Sequence, residues 1–123
     1  MTDPDGHFRD TIGAVPESVA LLQRHAPELF AAYVQQRAHI YREPPEGHLD
    51  RATTELLFTV LDVAVGHEEG ARAHARAGIA AGLTAGQIME ALSVVILICG
   101  HHVWARAGAA VMREVEAATV PPA

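Results

Sequence analysis

Prolines and glycines mark the points where this chain cannot stay helical, and every apolar run between them carries helical rather than strand spacing. Pro16 and Pro27 each precede such a run, and proline is tolerated at a first helical position because its missing N–H would be unpaired there. The spacing predicts helices over 16–25 and 27–42. Glu43-Pro44-Pro45-Glu46-Gly47 is read as a loop, since two prolines remove donors and force extended backbone before them. Asp50 suits the N-cap of a helix reaching Val65, with Leu57, Val60, Leu61 and Ala64 at i, i+3, i+4 and i+7 as its apolar stripe. Leu56, Phe58 and Val63 carry apolar surface nearly all round it, which marks a central or interface helix. Gly66 ends it. Another helix is expected from about Glu68 to Ala81, with Gly82 in the left-handed position beyond its end. Thr84 and Gln87 form a capping box for a long helix to about Ala118, bent at Gly100, with a frayed tail over 119–123.

The reading is all-α: a compact helical bundle, one domain over 1–123 with its core at about 15–118, since 123 residues leave too little material for two cores. Half the residues are apolar but only 5% are aromatic, which favours close helix packing over a core of large side chains. Nine Lys and Arg are scattered among fifteen Asp and Glu, for a net charge of -6. Nucleic-acid binding needs a concentrated basic face, so no nucleic-acid partner is expected. The longest apolar stretch, Leu92 to Cys99 interrupted by Ser93, is far short of the roughly 18 residues of a bilayer span. The opening residues lack a basic region and an apolar signal core, so a cytoplasmic location is expected. Cys99 is the only cysteine; no disulfide can form within one chain, and its apolar surroundings argue against a reactive thiol. The last helix is apolar for longer than a monomer of this size needs, so a homo-oligomer is expected.

Chemistry concentrates between Glu55 and His74. Four of the eight histidines, His67, His74, His101 and His102, lie in the C-terminal half. The segment from Glu55 through Gly66-His67-Glu68-Glu69-Gly70-Ala71-Arg72-Ala73-His74, followed by Ala77-Gly78-Ile79-Ala80-Ala81-Gly82-Leu83-Thr84 and Ile88-Met89-Glu90-Ala91-Leu92, resembles the carboxymuconolactone decarboxylase and alkylhydroperoxidase D superfamily. In the peroxidase branch a glutamate precedes a Cys-x-x-Cys, with a histidine four residues beyond the second cysteine. Glu55 and His74 occupy the glutamate and histidine positions, while His67 and Gly70 stand in place of the cysteines. Thiol peroxidase chemistry needs a thiolate and a resolving partner, so the resemblance points to the cysteine-free decarboxylase branch. Gly66, Glu68 and His74 match that branch's Gly-x-Glu-x-x-x-x-x-His pattern.

The resemblance implies a lyase acting on a small carboxylated lactone or keto-acid-like substrate, needing no cofactor, assembled as a trimer or hexamer with sites near subunit interfaces. Loss of carbon dioxide leaves a carbanion that must be protonated, and an imidazole suits that task. His74 is expected as the general acid or base, Glu55 as the carboxylate that orients it, and His67 as an assistant. Glu68, Gly70 and Arg72 are expected to hold substrate, with Arg76 a further carboxylate binder. Two other readings stand beside this one. A divalent metal such as zinc, drawing on His67, His74, His101 or His102 with Glu55, would make a metal-dependent enzyme; in an unbroken helix His101 lines up with Leu97 and Ala105, and His102 with Cys99 and Arg106. The third reading is a non-catalytic oligomeric binder. His7, His25, His39 and His48 are read as surface residues, and Phe30, Tyr33 and Trp104 as core or interface.

Overall fold

The computed structural model describes residues 4–119, and these form helices joined by turns, with no strand among them. They divide into two compact units at the junction of Asp50 and Arg51.

The first unit holds α1 (Pro4–Ile12), α2 (Glu17–His25) and α3 (Pro27–Ile40). Helices α2 and α3 occupy the expected positions, with Pro27 opening α3 and the proline-rich segment after it outside any helix. Helix α1 was not foreseen. Its sequence, with Gly6 and only two large apolar residues, has weak intrinsic propensity, and burial of Phe8 (1% exposed) against Phe30, Val34 and Val19 holds it instead. His7 is therefore buried, not at the surface as expected: its Nε2 accepts from Arg37 Nε at 3.2 Å, and its ring meets Tyr41 edge-on. His25, His39 and His48 are exposed as expected.

The second unit holds α4 (Arg51–Val65), α5 (Glu68–Ala80), α6 (Ala85–Cys99), a π-helical turn (Trp104–Gly108) and α7 (Ala109–Thr119). Helices α4 and α5 form an antiparallel hairpin whose joint is written in the backbone. Gly66 has φ +81°, the His67 N–H donates to the Asp62 carbonyl at 2.8 Å, and the Gly66 N–H donates to that of Val63 at 3.1 Å, which together form a Schellman cap. The same arrangement closes α5 at Gly82 (φ +108°), as its position predicts. Thr84 and Gln87 make both bonds of the capping box that starts α6.

The buried face of α4 is Thr54, Glu55, Thr59 and Val63, whereas Leu57 and Leu61 of the apolar stripe are exposed on this helix that is apolar nearly all round. The opposing face of α5 is Ala71, His74, Ala75 and Gly78. Helices with such small residues between them approach closely, so the bulky leucines of α4 are left on the outer side. The expected long helix to Ala118 is interrupted: Gly100, with φ +96° and ψ 165°, ends α6, and the chain is helical again from His102, ahead of the π-helical turn. A glycine with positive φ and extended ψ breaks a helix rather than bending it, so the expected register of His101 and His102 does not hold. Both are exposed. Thr119 remains helical, and 120–123, the rest of the expected frayed tail, lie outside the described residues.

The main core is built from Val63, Ala71, Ala75, Ile88, Leu92, Val95, Val103, Ala107, Val111 and Val115, with Trp104 and Cys99 packed at its edge. Within it, Ile88, Leu92 and Val95 give α6 a stripe at i, i+4 and i+7. The opposite side of α6 exposes Val94, Leu97 (84%) and Ile98 (77%), and α4 exposes Leu57, Leu61 and Val65.

Candidate active site

The α4–α5 hairpin brings Glu55 and His74 together in the protein interior. Glu55 is fully buried and His74 is 6% exposed, and the His74 Nδ1 lies 2.7 Å from Glu55 Oε2. Arg51, one turn before Glu55, donates from Nε to its other oxygen at 3.4 Å. Phe58 lies flat on the imidazole, with ring centroids 4.2 Å apart and planes 8° from parallel. Buried carboxylates are tolerated when paired and hydrogen-bonded, and here each oxygen has a cationic or N–H partner. An Nδ1–H of His74 donating to Glu55 Oε2 leaves Nε2 as the ring atom that can take a proton or, in the imidazolium, give one.

One heptad further out on both helices a second acidic residue and histidine meet. Asp62 is seven residues after Glu55 and His67 seven before His74, and His67 Nδ1 lies 3.6 Å from Asp62 Oδ1, slightly longer than a hydrogen bond. The Asp62 side chain is 22% exposed and that of His67 70%. Burial pushes the Asp62 carboxyl above its ordinary value, against the opposing pull of the His74 and His67 imidazoles. Gly70 lies beneath it: a methyl group there would stand 2.6 Å from Asp62 Oδ2. Glycine at this position therefore makes room for a carboxylate of the chain itself.

Glu68 and Arg72 are placed elsewhere. Arg72 and Arg76 sit two residues either side of His74, roughly 200° around the helix. Both bind Glu114 of α7, Arg72 through Nε (3.0 Å) and Nη2 (2.8 Å) and Arg76 through Nη1 (3.0 Å). Glu68, Arg72, Ala110, Arg113, Glu114 and Ala117 line an open cleft of about 330 Å³ on that side. The hydrogen bond from Arg72, then that from Arg76, holds the Glu114 carboxyl below its ordinary value. A depressed carboxyl stabilises the fold above its unfolded value, and that contribution disappears as pH falls through the lower folded value. Because the two arginines are about half exposed and solvent screens their pairing with Glu114, Glu114→Gln is expected to shift the urea midpoint only slightly at neutral pH and not at all in strong acid. A large shift at pH 7 would mean the triad is a structural clamp.

The four histidines considered as metal ligands are not gathered: among the described residues no three His, Cys, Asp or Glu side chains stand together in a way that could hold a metal ion. Sequence reading singled out Glu55, His67, Gly70 and His74 but missed Asp62, Arg51 and the stacking role of Phe58. The matched seven-residue spacings in two antiparallel helices could have pointed to Asp62.

The profile of the carboxymuconolactone decarboxylase family matches residues 27–116. A crystal structure provisionally assigned as a carboxymuconolactone decarboxylase, from Burkholderia xenovorans LB400, superposes with a TM-score of 0.85 at 27% identity, over 90% of this chain and 84% of that one. No curated protein matches the sequence.

Proposed function

The chain belongs to the carboxymuconolactone decarboxylase family, and from that premise we propose that it is a lyase releasing carbon dioxide from a small carboxylated lactone or keto-acid-like substrate by acid–base chemistry. The observation that carries the reading is the buried 2.7 Å contact between His74 Nδ1 and Glu55 Oε2. Heterolysis of the C–CO2 bond leaves an electron pair on carbon, and a positioned imidazolium delivers the proton that completes the product. Glu55 holds the ring at Nδ1, Arg51 holds the other oxygen of Glu55, and Phe58 restricts the ring plane. The related Burkholderia structure supports the same class of activity.

The proposal includes assembly as a homo-oligomer, a trimer or hexamer, in which the outward apolar faces of α4 and α6 are covered by further copies of the chain. Leu57, Leu61 and Val65 follow one another at four-residue intervals, and Val94, Leu97 and Ile98 form a second stripe on a helix packed against the first. No described helix is long and apolar enough to cross a membrane, so another protein surface is the fitting cover. A cytoplasmic location completes the reading.

The test is release of carbon dioxide from a panel of carboxylated lactones and β-keto acids by the purified wild-type protein. Turnover of a carboxylated lactone is the expected result. Saturable binding of these acids with no product would replace the lyase by a binder.

A further inference from the structure

The α4–α5 hairpin repeats one pairing twice. Glu55 with His74 forms the inner rung; Asp62 with His67, seven residues away on each helix, forms the outer. Seven residues of helix span about 10 Å, so the rungs lie roughly that far apart along a common face. They differ in access to water. His74 is 6% exposed and Glu55 fully buried, whereas the His67 side chain is 70% exposed. Asp62 is intermediate in position and in exposure, and it leans over Gly70, one turn from His74 on the same face of α5.

We propose that Asp62 and His67 form a proton relay that recharges the buried His74 from solvent. The inference rests on the acid–base reading of His74 given above. Each decarboxylation consumes one proton: the C–CO2 bond breaks, its electron pair stays on carbon, carbon dioxide leaves, and His74 gives its proton to that carbon. A neutral imidazole almost sealed from water then needs a new proton before the next turnover. His67 takes one from water at the surface and passes it to the Asp62 carboxylate 3.6 Å away, and Asp62 passes it inward to His74.

The groups around the path suit this direction of travel. On α4, Arg51 is engaged with Glu55 at the inner rung. On α5, Glu68 and Glu69 follow His67 at the exposed end. From the π-helical turn, the Arg106 guanidinium covers Gly66, the residue before His67, where an added methyl would lie 2.5 Å from its Cζ. Burial favours the protonated form of Asp62, which is the form that delivers a proton. The position of Gly70 gains a reason as well: any side chain there would push the Asp62 carboxylate off the path.

The decisive experiment has one arm that needs substrate and one that does not. In weakly buffered solution, Asp62→Asn and His67→Ala are expected to lower turnover of the carboxylated lactone at least tenfold. Free imidazole is expected to restore the His67→Ala variant, while leaving His74→Gln inactive. Without substrate, the exchange of the His74 ring N–H with water, read by NMR, is expected to slow at least tenfold in both relay variants. His67 is exposed, so its alanine variant keeps the fold even if Asp62→Asn does not. Unchanged exchange at His74 in His67→Ala, or full turnover of that variant in weak buffer, overturns the relay. If wild type turns over none of the acids but His74 exchange still depends on His67, the relay stands and the substrate reading falls.

Discussion

His74→Leu is expected to abolish decarboxylation and to lower the stability of the protein by about 3–5 kcal/mol, the penalty for stranding one member of a buried, hydrogen-bonded pair. Glu55 has no exposed surface, and without His74 its Oε2 loses the 2.7 Å contact that compensates its burial. Arg51 serves the other oxygen only, at 3.4 Å and from a side chain 32% exposed. Total stabilities of 5–15 kcal/mol are usual for a domain of this size, so the loss would be visible as a much lower urea midpoint. The double variant Glu55→Leu/His74→Leu separates the two roles. With no carboxylate left to strand, it is expected to recover most of the stability and none of the activity. If the single and double variants were equally unstable, the damage would come from packing against Phe58. If either retained turnover, His74 would lose its place in the chemistry.

That separation also explains what the sequence could and could not disclose. The hairpin was legible because its signals are local: Gly66 and Gly82 fall where left-handed caps are needed, and Thr84 with Gln87 marks the next helix start. The Glu55–His74 pair was legible through the resemblance and through helical spacing on α5. The inward face of α4 could not be picked out, because apolar residues lie nearly all round the helix and hydrophobicity does not choose among them. Close approach to an alanine- and glycine-lined helix selected Thr54, Glu55 and Thr59 instead, and sent Leu57 and Leu61 outward. Gly100 read as a bend because isolated glycines are tolerated in helices; its φ of +96° breaks the helix, and the π-helical turn a few residues on adds a register change that no residue spacing announces. Helix α1 escaped notice for the opposite reason, since Phe8 finds its stabilising partners on other helices. Asp62 went unmarked because its meaning depends on His67 across the turn.

The outward apolar face carries the other large expected effect. If the proposed oligomer forms, Leu97→Asp, or Leu61→Asp on the neighbouring helix, is expected to convert it to monomers at micromolar concentration while leaving the helical content intact. Leu97 is 84% exposed and Leu61 62% exposed in the single chain, so an aspartate at either site meets only water and disturbs no core contact. In an assembled interface the same carboxylate would be buried against Ile98, Val94 or Val65 of another copy, where an unpaired charge is strongly disfavoured and forces dissociation. The substitutions therefore act on association alone, which distinguishes them from Leu92→Ala in the core, where monomer stability itself would fall. Light scattering coupled to size exclusion decides the matter: an undiminished mass for both aspartate variants would leave these stripes without a role in assembly. Loss of turnover together with mass would show in addition that the buried His74 needs its neighbours in the oligomer to form a working site.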